Sequence, residues 1–302
     1  MVSTPRGRRY VLAAAVLWSL SGAIGKSIAL DGLTIAFYRG LFAGLVLIPF
    51  VPRSRRTFRP VMVPLGLIFG AMTGLFLASM KATTAANTIF LQYSATFWVV
   101  PLGFFLLQEK PDRRTLAGVA LATLGVGVIV LFGHRGGHEW VGVACGLGSG
   151  LGYALVVTGM RGLRGHDPIW LSAVNNLTGA VALGLWMTLT DHAPTWPTAA
   201  QMIGLAVFGI VQMAIPYALF ARGLREVSIA EAGLISLIEP ILNPIWVILV
   251  AHERPSLPTV IGGTMLLAGV AVRYLPSARQ TPDAEISPSE FPEAALGSAG
   301  PD

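Results

Sequence analysis

Ten apolar stretches, each long enough to cross a lipid bilayer, follow one another along this chain of 302 residues. A helix needs about 20 apolar residues to span a hydrocarbon core of ~30 Å. Alternating segments of about ten residues, which a membrane β-barrel requires, are missing. The stretches lie near 10–30, 33–51, 61–80, 83–107, 115–132, 140–160, 168–190, 199–221, 228–250 and 257–275. The sequence therefore predicts an all-α polytopic membrane protein with ten transmembrane helices.

The basic residues predict how the chain is oriented. If the N-terminus is cytoplasmic, sixteen of the 21 lysines and arginines fall on the inner side and only three on the outer side, which fits the positive-inside rule. We therefore expect a multi-pass protein of a bacterial inner (plasma) membrane with both termini cytoplasmic, and no nucleic-acid partner. The inner residues are Arg6, Arg8, Arg9, Arg53, Arg55, Arg56, Arg59, Lys110, Arg113, Arg114, Arg161, Arg164, Arg222, Arg225, Arg273 and Arg279; the outer ones are Lys81, Arg135 and Arg254.

An internal repeat predicts the architecture. The segments 109–128 and 253–272 lie 144 positions apart and share seven of twenty residues without a gap. Ten spans divided into two copies give five per copy, so the second copy enters the membrane from the opposite side. Such inverted-topology repeats are typical of secondary transporters, whose substrate site lies near the midplane between the copies. We predict a 5+5 inverted-topology repeat.

The same reasoning divides the chain into five parts. We expect a cytoplasmic N-terminal segment 1–9, a first five-helix repeat 10–132, an outer connecting loop 133–139 and a second five-helix repeat 140–275. The tail 276–302 is rich in proline and carries scattered acidic residues, so it cannot bury a core and is predicted to be disordered.

Several motifs resemble a known family. In the first stretch Trp18 is followed eight residues later by Lys26, the second stretch has Arg39-x-x-x-Ala43, and the ninth has Glu239–Pro240 with Glu253 thirteen residues beyond the proline. In order and spacing these motifs resemble the ten-helix, EamA-type branch of the drug/metabolite transporter superfamily, over roughly residues 10–275. The resemblance implies a carrier of small polar metabolites.

The sequence departs from the family pattern at a few positions. The family usually has a glycine where Gln108 and His252 stand, and a proline where Thr96 stands, with Pro101 displaced toward the helix end. The fourth helix therefore gives no reason to expect a bend where relatives bend.

Glu239 is the acidic residue placed deepest in the predicted bilayer. If its helix begins near Ser228, Glu239 lies about 16 Å deep, at ~1.5 Å per residue. Ser236, Asn243 and Trp246 share its helix face. A carboxylate at that depth normally faces a cavity or a partner. The alternative is a structural acid that bonds to backbone groups freed by Pro240.

Two cations complete the predicted binding site. Arg39 lies about 9 Å below the outer surface and either faces a cavity or extends outward to water. Lys26 is shallower and reaches water easily, and Trp18 shares its helix face. The amide and phenol groups of the fourth and seventh helices face the cavity or link neighbouring helices. These are Gln92, Tyr93, Asn175 and Asn176.

These residues predict a function. We expect a secondary transporter of small polar metabolites that exports amino acids or related compounds by alternating access, with protons as a candidate coupling ion. Arg39 and Lys26 could attract a carboxylate, and Glu239 could meet an amine or carry a proton. The alternatives are a carrier of phosphorylated or nucleotide-linked sugars, an ion channel and a membrane-embedded enzyme. The sequence contains no catalytic, cofactor or metal motif, so we expect no catalytic residues, no cofactor and no bound metal. No feature of the sequence indicates an oligomeric state.

Overall fold

The computed structural model describes residues 4–108, 111–134, 136–190 and 196–274. The regular elements in these ranges are all helical, as predicted. Within these ranges nine helices are long and apolar enough to cross a membrane, and the apolar helix Leu257–Val272 is a shorter tenth. The predicted disordered tail and the repeated residue Glu109 lie outside the described residues.

Fourteen α-helical segments build the ten spans, because the first, fourth, eighth and ninth spans are interrupted. A π-helical segment, Phe208–Ala214, joins the two halves of the eighth span. The segments are α1 (Pro5–Ser19), α2 (Ser21–Ser27), α3 (Gly32–Leu47), α4 (Met62–Ala82), α5 (Ala85–Gln92), α6 (Ala95–Leu107), α7 (Arg113–Phe132), α8 (Glu139–Arg161), α9 (Pro168–Leu189), α10 (Ala199–Val207), α11 (Ile215–Gly223), α12 (Ile229–Ser236), α13 (Ile238–Ala251) and α14 (Leu257–Tyr274).

Side-chain caps fix where many of these helices begin. Thr4 accepts a hydrogen bond from the N–H of Gly7, so the first span begins at Pro5 rather than near residue 10. Asp31, Asp112 and Asp167 cap α3, α7 and α9 in the same way. A capping oxygen satisfies an N–H group that has no partner inside the helix.

The helix contacts follow an internal two-fold relationship. The third span packs against the sixth, and the eighth packs correspondingly against the first. The fourth span packs against the sixth, and the ninth against the first. The second and seventh spans contact each other, as do the fifth and tenth. Each of these contacts has a counterpart when spans 1–5 are exchanged for spans 6–10, which is the contact pattern of a two-repeat fold.

Glycines repeated in the sequence form the contact between α7 and α14. A Cβ atom on Gly125 would overlap the carbonyl oxygen of Gly262, and one on Gly269 would overlap that of Gly118. Gly262 and Gly269 are the repeat equivalents of Gly118 and Gly125, so each glycine meets the equivalent of the other. The two helices therefore cross antiparallel, with their backbones in close contact.

The fourth and ninth spans are interrupted at equivalent positions. The ninth breaks at Leu237, three residues before Pro240, and the fourth breaks at Tyr93–Ser94, where Tyr93 is the equivalent of Leu237. The interruption therefore recurs although Thr96 replaces the proline of the family pattern. The turn of the fourth span packs closely on α8: a Cβ on Gly150 would overlap the hydroxyl of Ser94.

Among the described residues the apolar core forms two large clusters, one toward each end of the bundle, and a small third one of Val11, Val227 and Ala232. We call the end with loops 51–61, 162–167 and 224–228 the basic end, and the end with loops 28–31, 83–84 and 252–256 the opposite end. Ile35, Leu77 and Met80 belong to the cluster toward the opposite end. Between the clusters lie the polar side chains of the candidate site.

Candidate substrate site

Arg39 is buried between the second and eighth spans, with only 3% of its surface exposed. Its Nη1 donates to Gln212 Oε1 over 3.3 Å, and its guanidinium carbon lies 5.1 Å from the centre of the Phe208 ring. Its Nε has no hydrogen-bond partner among the described residues. A guanidinium held by one amide and one aromatic face still has donors for an anionic group.

Gln212 links Arg39 to the first span. Its Oε1 accepts from Arg39, and its Nε2 donates to the carbonyl oxygen of Trp18 over 3.2 Å. It lies in the π-helical segment, four residues before Pro216, whose missing N–H removes the i→i−4 bond to the Gln212 carbonyl. Such widened turns are frequent at functional sites.

Glu239 joins the same cluster through two tyrosines. The hydroxyl of Tyr93 is 3.5 Å from Glu239 Oε2, at the limit of hydrogen-bond distance. Tyr217 lies within electrostatic range of both Arg39 and Glu239. The Trp18 ring packs edge-on against Tyr217, with ring centres 5.5 Å apart. The first, second, fourth, eighth and ninth spans therefore contribute to one cluster.

The two charges in this cluster do not neutralise each other. Within the described residues, neither Arg39 nor Glu239 takes part in an ion pair. Both charges lie inside a membrane protein, where an uncompensated charge is costly and marks a substrate or ion pathway. The cluster presents a cation, a carboxyl group and phenol hydroxyls, which can bind a small molecule carrying both an acidic and a basic group.

Other predicted residues of the ninth span bind neighbouring backbone or side chains. The amide nitrogen of Asn243 donates to Ser21 Oγ over 2.9 Å, and Trp246 Nε1 donates to Ser19 Oγ over 2.9 Å. Ser236 donates to the Ala232 carbonyl one turn earlier. The face shared with Glu239 thus serves chiefly to hold the ninth span against the first.

The predicted amides of the fourth and seventh spans are buried or bonded to neighbouring helices. Gln92 donates to Ser149 Oγ over 2.9 Å and so links the fourth span to the sixth. Asn176 donates to the Ser172 carbonyl in its own helix. Asn175 and Asn176 are both buried, and their Oδ1 atoms have no partner in the described part of the chain.

Lys26 is engaged at the opposite end of the bundle. Its Nζ lies 2.7 Å from Glu253 Oε2 and donates to the Thr83 carbonyl over 2.7 Å. Glu253 also accepts the N–H of Ala85 through its other oxygen, over 2.7 Å. Of the two predicted cations, only Arg39 belongs to the charged cluster.

Sequence reasoning missed part of the cluster. It does not place Gln212, Phe208 or Tyr217 in the predicted site. Aromatic residues are common in apolar helices, so nothing in their spacing marks them. Pro216, one turn after a polar Gln212 in an apolar helix, is the available signal, because a proline predicts disturbed helix geometry at that depth.

Comparison with known proteins decides the family. The model of the EamA-like transporter family matches residues 6–131 and again 140–275. This chain belongs to the EamA-like transporter family. The two matches also agree with the two-repeat architecture.

Its relatives are named as transporters. An uncharacterized transporter of Archaeoglobus fulgidus is 29% identical, over 89% of this chain and 96% of its own length. An uncharacterized inner membrane transporter, YicL, of Salmonella typhimurium is 22% identical, over 93% of this chain and 99% of its own length. A solved crystal structure with 18% identity covers 90% of this chain and 97% of its own, with a TM-score of 0.64, and shares the fold.

One partial relative has a more specific name. A protein of Salmonella typhimurium named "Probable amino-acid metabolite efflux pump" is 29% identical over 131 residues, which are 42% of this chain and 44% of that protein.

Proposed function

We propose that this EamA-family protein is a secondary transporter that exports amino acids or related zwitterionic metabolites. The observation that carries the proposal is the pair of groups Arg39 and Glu239, which both lie within electrostatic range of Tyr217 and which take part in no ion pair among the described residues. Arg39 would bind the substrate carboxylate, and Glu239 would bind its amine or carry a coupled proton. The partial relative named as an amino-acid metabolite efflux pump supports the same substrate class.

The charge count favours a zwitterion over a phosphorylated or nucleotide-linked sugar. A phosphate dianion requires several cations or many donors at the site. Lys26 is bound to Glu253, so Arg39 is the single cation that the described residues bring to the cluster. One carboxylate matches one guanidinium, whereas a dianion would leave charge uncompensated.

The two-repeat fold supports alternating access as the mechanism. In inverted repeats, one set of helices rocks against the other around a fixed central site. The pair Lys26–Glu253 joins the first span to the loop before the tenth and so ties together helices of both repeats. Opening the opposite end would require this pair to separate.

Counterflow in proteoliposomes tests the transport proposal. Vesicles loaded with an unlabelled amino-acid mixture should take up labelled amino acid transiently and saturably. Arg39→Gln should reduce this exchange at least tenfold, and Arg39→Lys should recover only part of it because lysine lacks the bidentate fork. Arg59→Gln, at an exposed loop arginine, is the control. Non-saturable flux would indicate a channel, and conversion of substrate without translocation would indicate an enzyme.

Cysteine labelling tests the orientation on which export depends. We place the basic end in the cytoplasm, because it carries most of the loop cations. In a Cys145→Ala background, Trp196→Cys should react with an impermeant maleimide in intact cells, since Trp196 is 87% exposed. Arg225→Cys should react only after permeabilisation. The reverse pattern would invert the orientation.

A further inference from the structure

A cavity at the basic end is separate from the charged cluster described above. It has a volume of about 410 Å³ and lies where the loops after the second, sixth and eighth spans meet. Segments of both repeats therefore contribute to it. Its lining residues are Ser54, Arg55, Thr57, Gly165, His166, Asp167, Pro168 and Arg225.

The cavity is rich in unused hydrogen-bond donors. Arg55 Nη1 lies 3.7 Å from Asp167 Oδ2, which is within ion-pair range but too long for a hydrogen bond. Arg225 is exposed, and its side chain makes no hydrogen bond or ion pair to the described residues. The buried Nδ1 of His166 is likewise unpartnered within that part of the chain.

Asp167, the one acidic residue among the described residues that line the cavity, is already engaged in capping a helix. Oδ1 of Asp167 accepts the N–H groups of Ile169 over 2.9 Å and Trp170 over 3.3 Å and so caps α9. The carboxylate is largely buried, with 8% of its side chain exposed, whereas Arg55 is 60% exposed. Two arginines therefore face the cavity against one acid whose charge is offset by a helix N-terminus.

The cavity is held in shape by a tertiary contact. Trp170 Nε1 donates to the Thr57 carbonyl over 2.7 Å, which fixes the loop 51–61 against the start of α9. Arg56 in the same loop donates to the carbonyls of Val51 and Ile48. The loop is thus braced by residues other than the two arginines that face the cavity.

Exposed apolar side chains flank the same loop. Phe50 is 63% exposed and Phe58 is 61% exposed, on either side of Ser54–Thr57. A basic pocket bordered by apolar surface at the end of a membrane bundle has the two features that a phospholipid requires: a site for its phosphate and a surface for its chains.

We propose that this cavity binds a phosphate-bearing anion, with Arg55 and Arg225 as its cationic ligands. The apolar flanks point to the headgroup of an anionic phospholipid as the source of that phosphate. Since the cavity joins loops of both repeats, a bound headgroup would also hold these loops together. The proposal does not depend on which metabolite is transported.

The test measures binding to the full-length protein in neutral detergent. Phosphatidylglycerol is titrated, and phosphatidylcholine serves as the comparison lipid. Inorganic phosphate and glycerol 3-phosphate represent soluble anions. Bound ligand is measured by native mass spectrometry. We expect phosphatidylglycerol to bind in preference to phosphatidylcholine. Arg55→Gln and Arg225→Gln should each weaken that binding about fivefold.

Arg53→Gln is the matched control, because Arg53 is an exposed arginine of the same loop that does not line the cavity. Saturable binding of the soluble anions that is lost in both variants would keep the anion site and assign it to a soluble ligand. Equal binding of the two lipids without any soluble-anion binding would overturn the proposal. So would equal weakening by Arg53→Gln, since it would indicate only diffuse attraction to a basic surface.

Discussion

Lys26 and Glu253 form an ion pair of 2.7 Å between the end of the first span and the loop before the tenth. Both side chains are mostly buried, with 18% and 24% exposed. The Thr83 carbonyl and the Ala85 N–H bind the same two residues, so this pair closes a junction of the first, third, fourth and tenth spans. Lys26 and Glu253, two residues of the family motifs that are 227 positions apart in the sequence, are thus in direct contact.

This pair should contribute measurably to stability. We expect a coupling free energy of about 1–2 kcal/mol, between the values for exposed and fully buried pairs. A double-mutant cycle with Lys26→Gln and Glu253→Gln, followed by unfolding in detergent, measures it. The exposed neighbour Arg254 supplies the control, since Lys26→Gln and Arg254→Gln should be additive. Additivity of the Lys26 and Glu253 variants would contradict the prediction.

The glycine contact between α7 and α14 should not tolerate a methyl group. Gly125→Ala would place a Cβ against the Gly262 carbonyl, so we expect destabilisation of about 1–3 kcal/mol. Gly127→Ala on the same helix is the control, because nothing lies within 4 Å of its added Cβ. That variant should be neutral or slightly stabilising. Equal effects of the two substitutions on thermal unfolding would disprove the close contact.

Gln108 and His252 occupy left-handed backbone conformations, with φ of 57° and 54°. They end α6 and α13 at repeat-equivalent positions, where the family pattern has glycine. Glycine adopts this conformation without a Cβ penalty. We therefore expect His252→Gly to raise the free energy of unfolding by roughly 0.5–1 kcal/mol. His252→Ala should bring no such gain, and a loss of stability on His252→Gly would argue against a strained cap.

The sequence predicted the spans and the duplication because apolar length and spacing are local properties that the bilayer enforces. The sequence also places Arg39 and Glu239 at depths in the bilayer where a charged side chain is costly and indicates a functional site. It grouped Lys26 with Arg39, however, because both are cations of the first two spans. Their separation depends on where Glu253 lies, and only the packing of distant helices determines that. The roles of Gln212 and Tyr217 depend on packing in the same way.

Glu239 can be tested for three different roles with one isosteric change. Glu239→Gln keeps the shape of the side chain and can still accept the weak hydrogen bond from Tyr93, but it cannot ionise. We expect net transport driven by a proton gradient to fall roughly tenfold or more. If Glu239 carries the proton, exchange of substrate across the membrane should persist. If it binds the substrate amine, apparent affinity should fall and both modes should slow together.

If Glu239 has a purely structural role, its substitutions should affect stability and not transport. If Glu239 only stabilises the interrupted ninth span next to Pro240, Glu239→Gln should transport like the wild type and Glu239→Ala should unfold at lower temperature. Tyr93→Phe is the control, since it removes the hydroxyl 3.5 Å from the carboxylate and leaves the charge in place. Both transport modes are measured in proteoliposomes beside thermal unfolding of each variant. Wild-type transport by Glu239→Gln in both modes would exclude the proton and amine roles together, because each requires the charge that glutamine lacks.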